Sequence, residues 1–378
     1  MDSQDLVHAA SAGLLEVLQL PGLAEVVLFC AAPSAARRAA AVSRHLHALL
    51  SPLLPEIERL VPRRICVVGG HGGRGMGPHE PLCTAQLFDT VGGCWESLPG
   101  PTSARYDCAM AASEGFLYVI GGRCVLDQAM SSVERLDLGS AKQKLWQPMP
   151  SLLVPRYQCA AAAVSGIVFV AGGFDGLEPL STAECLIEGF HAGFRESDGS
   201  TDLRWRPLPD LDTARGRCAA CSLGGWFYLL GGMDAGYRSL SAVDRLPGPK
   251  LLKQATEFIW TPLPQMLQAR GGCAAVRVGD AILAIGGVAD GWAALSDVER
   301  FDPMEGCWQH LQPMGRPRRE CAAAVVAGVV YVMGGVSHAG RCTATAECWD
   351  TAAEAPCWHP SDAMSEARCS CNATTLWA

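Results

Sequence analysis

The chain has 378 residues, 49% hydrophobic and 18% charged, with a formal net charge of −8. That length suits one large domain or two. The acidic balance, with no Lys/Arg run longer than two, excludes an electrostatic footprint for nucleic acid. No run of about eighteen apolar residues lacks charge or proline, so no membrane-spanning helix is predicted. Eighteen cysteines follow a start, "MDSQDLVHAA", that lacks the basic and apolar parts of a signal peptide. Reduced thiols in cytoplasm or nucleus are the expectation.

Residues 1–60 form the first predicted unit. "LQLPGLAEVVLFCAAPSAARRAAAVSRHLHALLSP" (18–52) is rich in Ala and Leu at helical spacing and is broken by Pro21 and Pro33. Leu23, Val26, Val27 and Cys30 share one helical face, and Val42, Leu46, Leu49 and Leu50 share another further on. Three short helices make a marginal core alone. A partner, or packing against the rest of the chain, would stabilise them.

Residues 61–378 repeat. Glycine pairs end apolar runs at 69–70, 121–122, 172–173, 231–232, 286–287 and 334–335. Tryptophans at 95, 146, 205, 260, 308 and 358 are each followed ten residues later by Arg105, Arg156, Arg215, Arg270, Arg318 and Arg368. Three residues beyond each arginine stand Cys108, Cys159, Cys218, Cys273, Cys321 and Cys371. A self-similar period near fifty residues marks a repeat architecture. In each unit "CAAAAV" or its like predicts a strand of small residues for the crowded axis of a propeller. "IVFVAGG" predicts a strand buried on both faces. A third strand carries an acid (Glu134, Glu184, Asp244, Glu299, Glu347, but Gln86 in the first unit), and a fourth carries the tryptophan. Four strands per unit give about 24. "RRICVVGG" lacks an inner strand before it, whereas "ARCSCNATTLWA" ends before any glycine pair. Residues 371–378 are therefore expected to pair beside 65–70, closing six blades and covering an open edge.

These landmarks resemble the kelch family over residues 65–378, which implies an all-β, six-bladed propeller closed by its C-terminal strand, behind a small helical segment. Leu20-Pro21, an apolar helix and "AAVSRHLHALL" resemble an F-box. That resemblance implies binding of a Skp-type adaptor through Leu20, Pro21, Leu23 and Val27. The combination implies the substrate-recruiting subunit of an SCF-type cullin–RING ubiquitin ligase, in the ubiquitin-like conjugation pathway. A kelch scaffold without ligase attachment is the alternative reading, and a kelch-fold enzyme is the third.

Nine histidines form no ligand-spaced pair beyond His45 and His47, which lie on different faces of a helix. No catalytic residue, cofactor or metal is expected. The C-x-C of Cys369 and Cys371 and the C-x-x-C of Cys218 and Cys221 include inner-strand cysteines, so packing explains them before zinc does. A redox role would need a lowered thiol pKa. The six repeated arginines are expected around one channel mouth, where they would bind an acidic segment of a protein substrate. The alternative is that each pairs with its own blade's acid. The loops after the glycine pairs differ among units, as binding loops do. Phe174, Tyr237 and Trp292 are the expected aromatic anchors there.

Overall fold

The computed structural model describes residues 64–72, 81–138, 145–187, 203–251, 258–353 and 356–376. The expected F-box-like helices, with Leu20, Pro21, Leu23 and Val27, lie outside these residues. So does most of the insertion in the third unit. Among the described residues no helix is long and apolar enough to cross a membrane.

Six four-stranded antiparallel sheets form the blades. Blade two is typical: Ala109–Ser113, Phe116–Ile120, Val133–Asp137 and Trp146–Met149 run in order from the axis outward. Blade one takes its inner strand from the other end of the chain. Asn372–Leu376 pairs antiparallel with Arg64–Val68, in the register Val68↔Asn372 to Arg64↔Leu376. The expected closure is therefore present, and the inner strands pack side by side in one ring.

The repeat landmarks hold blade to blade as well as within a blade. The indole Nε1 of Trp146 donates to Pro99 O at 2.7 Å, Trp205 to Pro150 O at 2.9 Å and Trp308 to Pro264 O at 2.9 Å, each reaching back to the preceding blade. Trp95 does the same across the closure, to Asp362 O at 3.3 Å. The second glycine of a pair reaches forward: Gly122 N donates to Arg156 O and Gly173 N to Arg215 O, both at 2.9 Å.

Gly173 shows why glycine is needed. Its φ is +99°, and a Cβ there would meet Tyr157 O at 2.7 Å and Cys159 Cβ at 2.9 Å. The same closeness keeps the residue at 159 small.

The core is distributed between blades. Phe169 and Phe227, from the second strands of blades three and four, stack at 5.7 Å and are both fully buried. Burying each contributes about 1.5–3 kcal/mol. The predicted small-residue wall is also found. Met110, Ala161, Ala220, Ala275, Ala323 and Ala373, each two residues past the repeated cysteine, line one end of the channel around a cavity of about 390 Å³.

Candidate functional site at the channel mouth

The six repeated arginines are not at the mouth. Arg105, Arg156, Arg215, Arg270, Arg318 and Arg368 are at most 1% exposed. Arg156 is representative. Its Nη1 donates to Gly172 O (2.8 Å) and Thr182 O (2.9 Å), and its Nη2 to Glu184 Oε1 at 2.6 Å. Glu184 in turn accepts from the backbone N–H groups of Leu153 and Val154. The guanidinium thus satisfies the carbonyls that the glycine turn leaves open, and the acid fastens the loop that leads in from the previous blade. In blade one, where Gln86 replaces the acid, Arg368 instead pairs with Glu366 at 3.1 Å and with Thr84 Oγ1 at 3.2 Å. The arginines are blade struts, because a fork of donors inside the sheet outcompetes an exposed position.

The channel neck is made by the residue immediately before each repeated cysteine. Asp107, Gln158, Arg217, Gly272, Glu320 and Ser370 all have φ between +50° and +56°. Their backbones hand hydrogen bonds around the axis: Gln158 N to Asp107 O, Arg217 N to Gln158 O, Gly272 N to Arg217 O, Glu320 N to Gly272 O and Ser370 N to Glu320 O, at 2.7–3.1 Å. Left-handed non-glycine residues persist only where the surroundings over-determine them, and this ring does so. Side chains then cross the opening. Arg217 is ion-paired with Glu320 and donates through Nε to Gln158 Oε1 at 3.1 Å, while Gln158 donates to Asp107 at 3.1 Å. Ser370 donates to Glu320 at 2.9 Å. Burial and the nearby charge of Glu320 raise the Asp107 pKa.

Above the neck lies a cavity of about 450 Å³. Its wall over half the ring is a continuous aromatic belt. Tyr157 stacks on Phe174 at 5.6 Å, Phe174 on Tyr237 at 6.1 Å, and Tyr237 meets Trp292 at 6.4 Å. Three guanidinium groups lie on the belt. Arg123 is 3.7 Å from the Tyr157 ring centroid, and Arg217 and Arg319 are 5.0 and 5.6 Å from that of Trp292.

Of the expected anchors, Tyr237 (54% exposed) and Trp292 (44%) face solvent. Phe174 does not: at 3% exposure it is the buried link of the belt. Tyr237 and Trp292 close equivalent turns with φ of +56° and +66°, in a slot occupied by Asp127 in blade two and Gly340 in blade six. A bulky side chain in that slot is costly to the fold.

The opposite side of the mouth, at the seam of blades six and one, holds sulfur. His71, Cys342 and Cys369 bring their ligand atoms within 4.8 Å of one another. Cys342 is held down at about 5, first by a hydrogen bond from the Cys369 thiol and then by His71. The six inner-strand cysteines behave oppositely. Burial pushes Cys108 up to about 11 and Cys159 and Cys273 up to about 12, which is what packing groups show and redox sensors do not.

The sequence reading missed Arg123, Arg217, Arg319, Tyr157 and the neck. The available signal was variation: the two positions between strut and cysteine read Tyr-Asp, Tyr-Gln, Gly-Arg, Gly-Gly, Arg-Glu and Cys-Ser inside an otherwise strict register.

Comparison with known proteins bears on the repeats and the fold. The Kelch motif matches residues 104–153, 155–187, 269–315 and 317–360. Kelch-like protein 36 of Rattus norvegicus is 28% identical over 205 residues, 54% of this chain and 31% of that protein. Kelch-like protein 15 of Homo sapiens is 22% identical over 68% of this chain and 42% of its own length. An F-box/kelch-repeat protein of Arabidopsis thaliana is 37% identical over 86 residues, covering 23% of this chain and 22% of that protein. The chain thus spans about a third of the length of the Kelch-like protein 36 relative. The solved structure of YjhT superposes with a TM-score of 0.55 at 16% identity, over 72% of this chain and 88% of that one, a likeness of fold alone.

Proposed function

We propose that this six-bladed propeller, four stretches of which match the Kelch motif, recruits a protein substrate at the aromatic mouth as a subunit of an SCF-type ubiquitin ligase. The observation that carries the mouth is the exposure of Tyr237 and Trp292 in left-handed turn slots that glycine, as at Gly340, fills without strain. Strain of this kind is retained where it serves binding, and Tyr and Trp are the side chains that dominate interface energies. The partner is a segment with acidic and apolar groups. Arg123, Arg217 and Arg319 border the cavity; Arg123 is paired with Asp127 and Arg217 with Glu320, and Arg319 forms no ion pair among the described residues. The positive charge expected of the six struts is thus offered first by Arg319, with Arg123 and Arg217 beside it already paired. The ligase attachment rests on Leu20-Pro21 and the F-box-like order of residues that follows it, together with the partial likeness to the F-box/kelch-repeat protein.

One co-precipitation separates the two halves of this reading. Full-length protein should capture a Skp-type adaptor and a protein partner together. Leu20→Ala/Pro21→Ala should lose the adaptor and keep the partner, while Tyr237→Ala/Trp292→Ala should do the reverse. Absence of the adaptor from the wild-type capture would leave a scaffold without ligase attachment. An unchanged partner with the aromatic variant would place the binding site elsewhere on the ring.

A further inference from the structure

We infer that His71, Cys342 and Cys369 form a three-ligand site for a soft or borderline metal ion, zinc first, in the wall of the mouth cavity. The three residues come from distant parts of the chain: the loop after the first glycine pair, a loop of blade six, and the approach to the C-terminal inner strand. Only ring closure brings them together.

Their geometry matches what the ion requires. Zinc–sulfur bonds of about 2.3 Å and zinc–nitrogen bonds of about 2.0–2.1 Å at tetrahedral angles separate sulfur from nitrogen by about 3.6 Å. His71 Nδ1 lies 3.6 Å from Cys369 Sγ and 3.9 Å from Cys342 Sγ. The same angles set two sulfurs about 3.8 Å apart, and all three donor atoms here fall within 4.8 Å. His71 Nε2 is also close to Cys369 Sγ, at 3.2 Å, so the ring lies alongside that sulfur.

The donors are also held in place before any ion arrives. His71 and Cys369 exchange backbone hydrogen bonds in both directions, at 3.1 and 3.2 Å, and Cys342 is fixed by a bridge to Val336. Tyr106 packs edge-on against the imidazole at 5.6 Å.

Electrostatics agrees. The negative charge of Glu320 reaches His71 and favours a cation beside it. A divalent ion balances two thiolates, so the occupied site carries no net charge into a mostly buried pocket, and any thiol proton still held passes to solvent on binding. With three protein ligands, the fourth position is left for water or for a donor atom supplied by whatever occupies the cavity, which His71 and Cys342 both line.

The test is a titration of reduced, chelator-stripped full-length protein with Co²⁺, read by the sulfur-to-cobalt charge-transfer band, and then with Zn²⁺. One equivalent of Co²⁺ should give the band and Zn²⁺ should bleach it. Cys342→Ser and His71→Ala should each weaken binding at least tenfold, as should Cys369→Ser. Because Cys369 is fully buried, melting curves accompany each variant, and the half-buried Cys342 decides if Cys369→Ser fails to fold. Cys357 and His359, 3.1 Å apart at the start of the outer strand of blade six, offer a competing surface pair, so Cys357→Ser should leave the band intact. A missing band, or one lost with Cys357→Ser and kept in Cys342→Ser and His71→Ala, would overturn the assignment.

Discussion

At the scale of single residues, the distinction that matters is between side chains that hold a blade and side chains that the blade presents. Arg156 belongs to the first kind: its guanidinium joins two carbonyls to Glu184 with no exposed surface. Removing one partner of such a pair leaves the other buried and uncompensated, at a cost of about 3–5 kcal/mol. Arg156→Ala should therefore lower stability by about that amount in denaturant unfolding, whereas Tyr237→Ala, at an exposed turn, should stay within about 0.5 kcal/mol of wild type. Similar small effects from both substitutions would remove the strut assignment. Asp107 is a third kind, a carboxyl that costs stability. Burial and Glu320 raise its pKa in the folded state. The penalty is absent below the unfolded value of about 3.9 and grows as pH rises through the folded one. Asp107→Asn keeps an oxygen for Gln158 Nε2 and removes the charge. It should melt above wild type at pH 7, with the gap closing as pH falls toward 4. A gap that does not depend on pH would show that charge is not the cause.

At the scale of the strand, the decisive element is Asn372–Leu376. It supplies five paired residues to blade one and covers the edge of Arg64–Val68, whose Ile65, Cys66 and Val67 are wholly buried. Without it a flat apolar edge is exposed, and such edges pair with other chains. The neck also loses Ser370 and its hydrogen bonds to Glu320 if the cut falls earlier. Deletion of residues 371–378 should abolish soluble, cooperatively melting protein. A truncated chain that remains monomeric in gel filtration and melts like the parent would contradict the closure.

At the scale of the molecule, the ring is a series of like interfaces with no free end. The indole of Trp95 reaches blade six just as Trp146 reaches blade one, so each blade is stitched on both sides. Such a ring needs no help from residues 1–60, whose role is proposed to be attachment. Residues 61–378 alone should melt within a few degrees of the full chain by circular dichroism. A drop much larger than that would mean that the N-terminal segment packs on the propeller as part of its fold.

The blade count, the closure and the small-residue channel wall were legible because each follows from a register repeated six times, and a repeat states what every blade must contain. For the same reason the sequence misled about the arginines. A residue found at one place in all six units is serving the unit, and its donors turn inward to the glycine turn and the blade's acid. The residues proposed for binding do not recur in every blade: Tyr237 and Trp292 share a slot that holds Asp127 in blade two and Gly340 in blade six, and Arg123, Arg217 and Arg319 stand where other blades carry different residues. The trio of His71, Cys342 and Cys369 spans 298 positions of sequence. The residues set the blade by local patterning alone, whereas the mouth, its belt and its sulfur cluster exist only once the ring has closed, because proximity across an axis is a property of the circle and not of any one repeat.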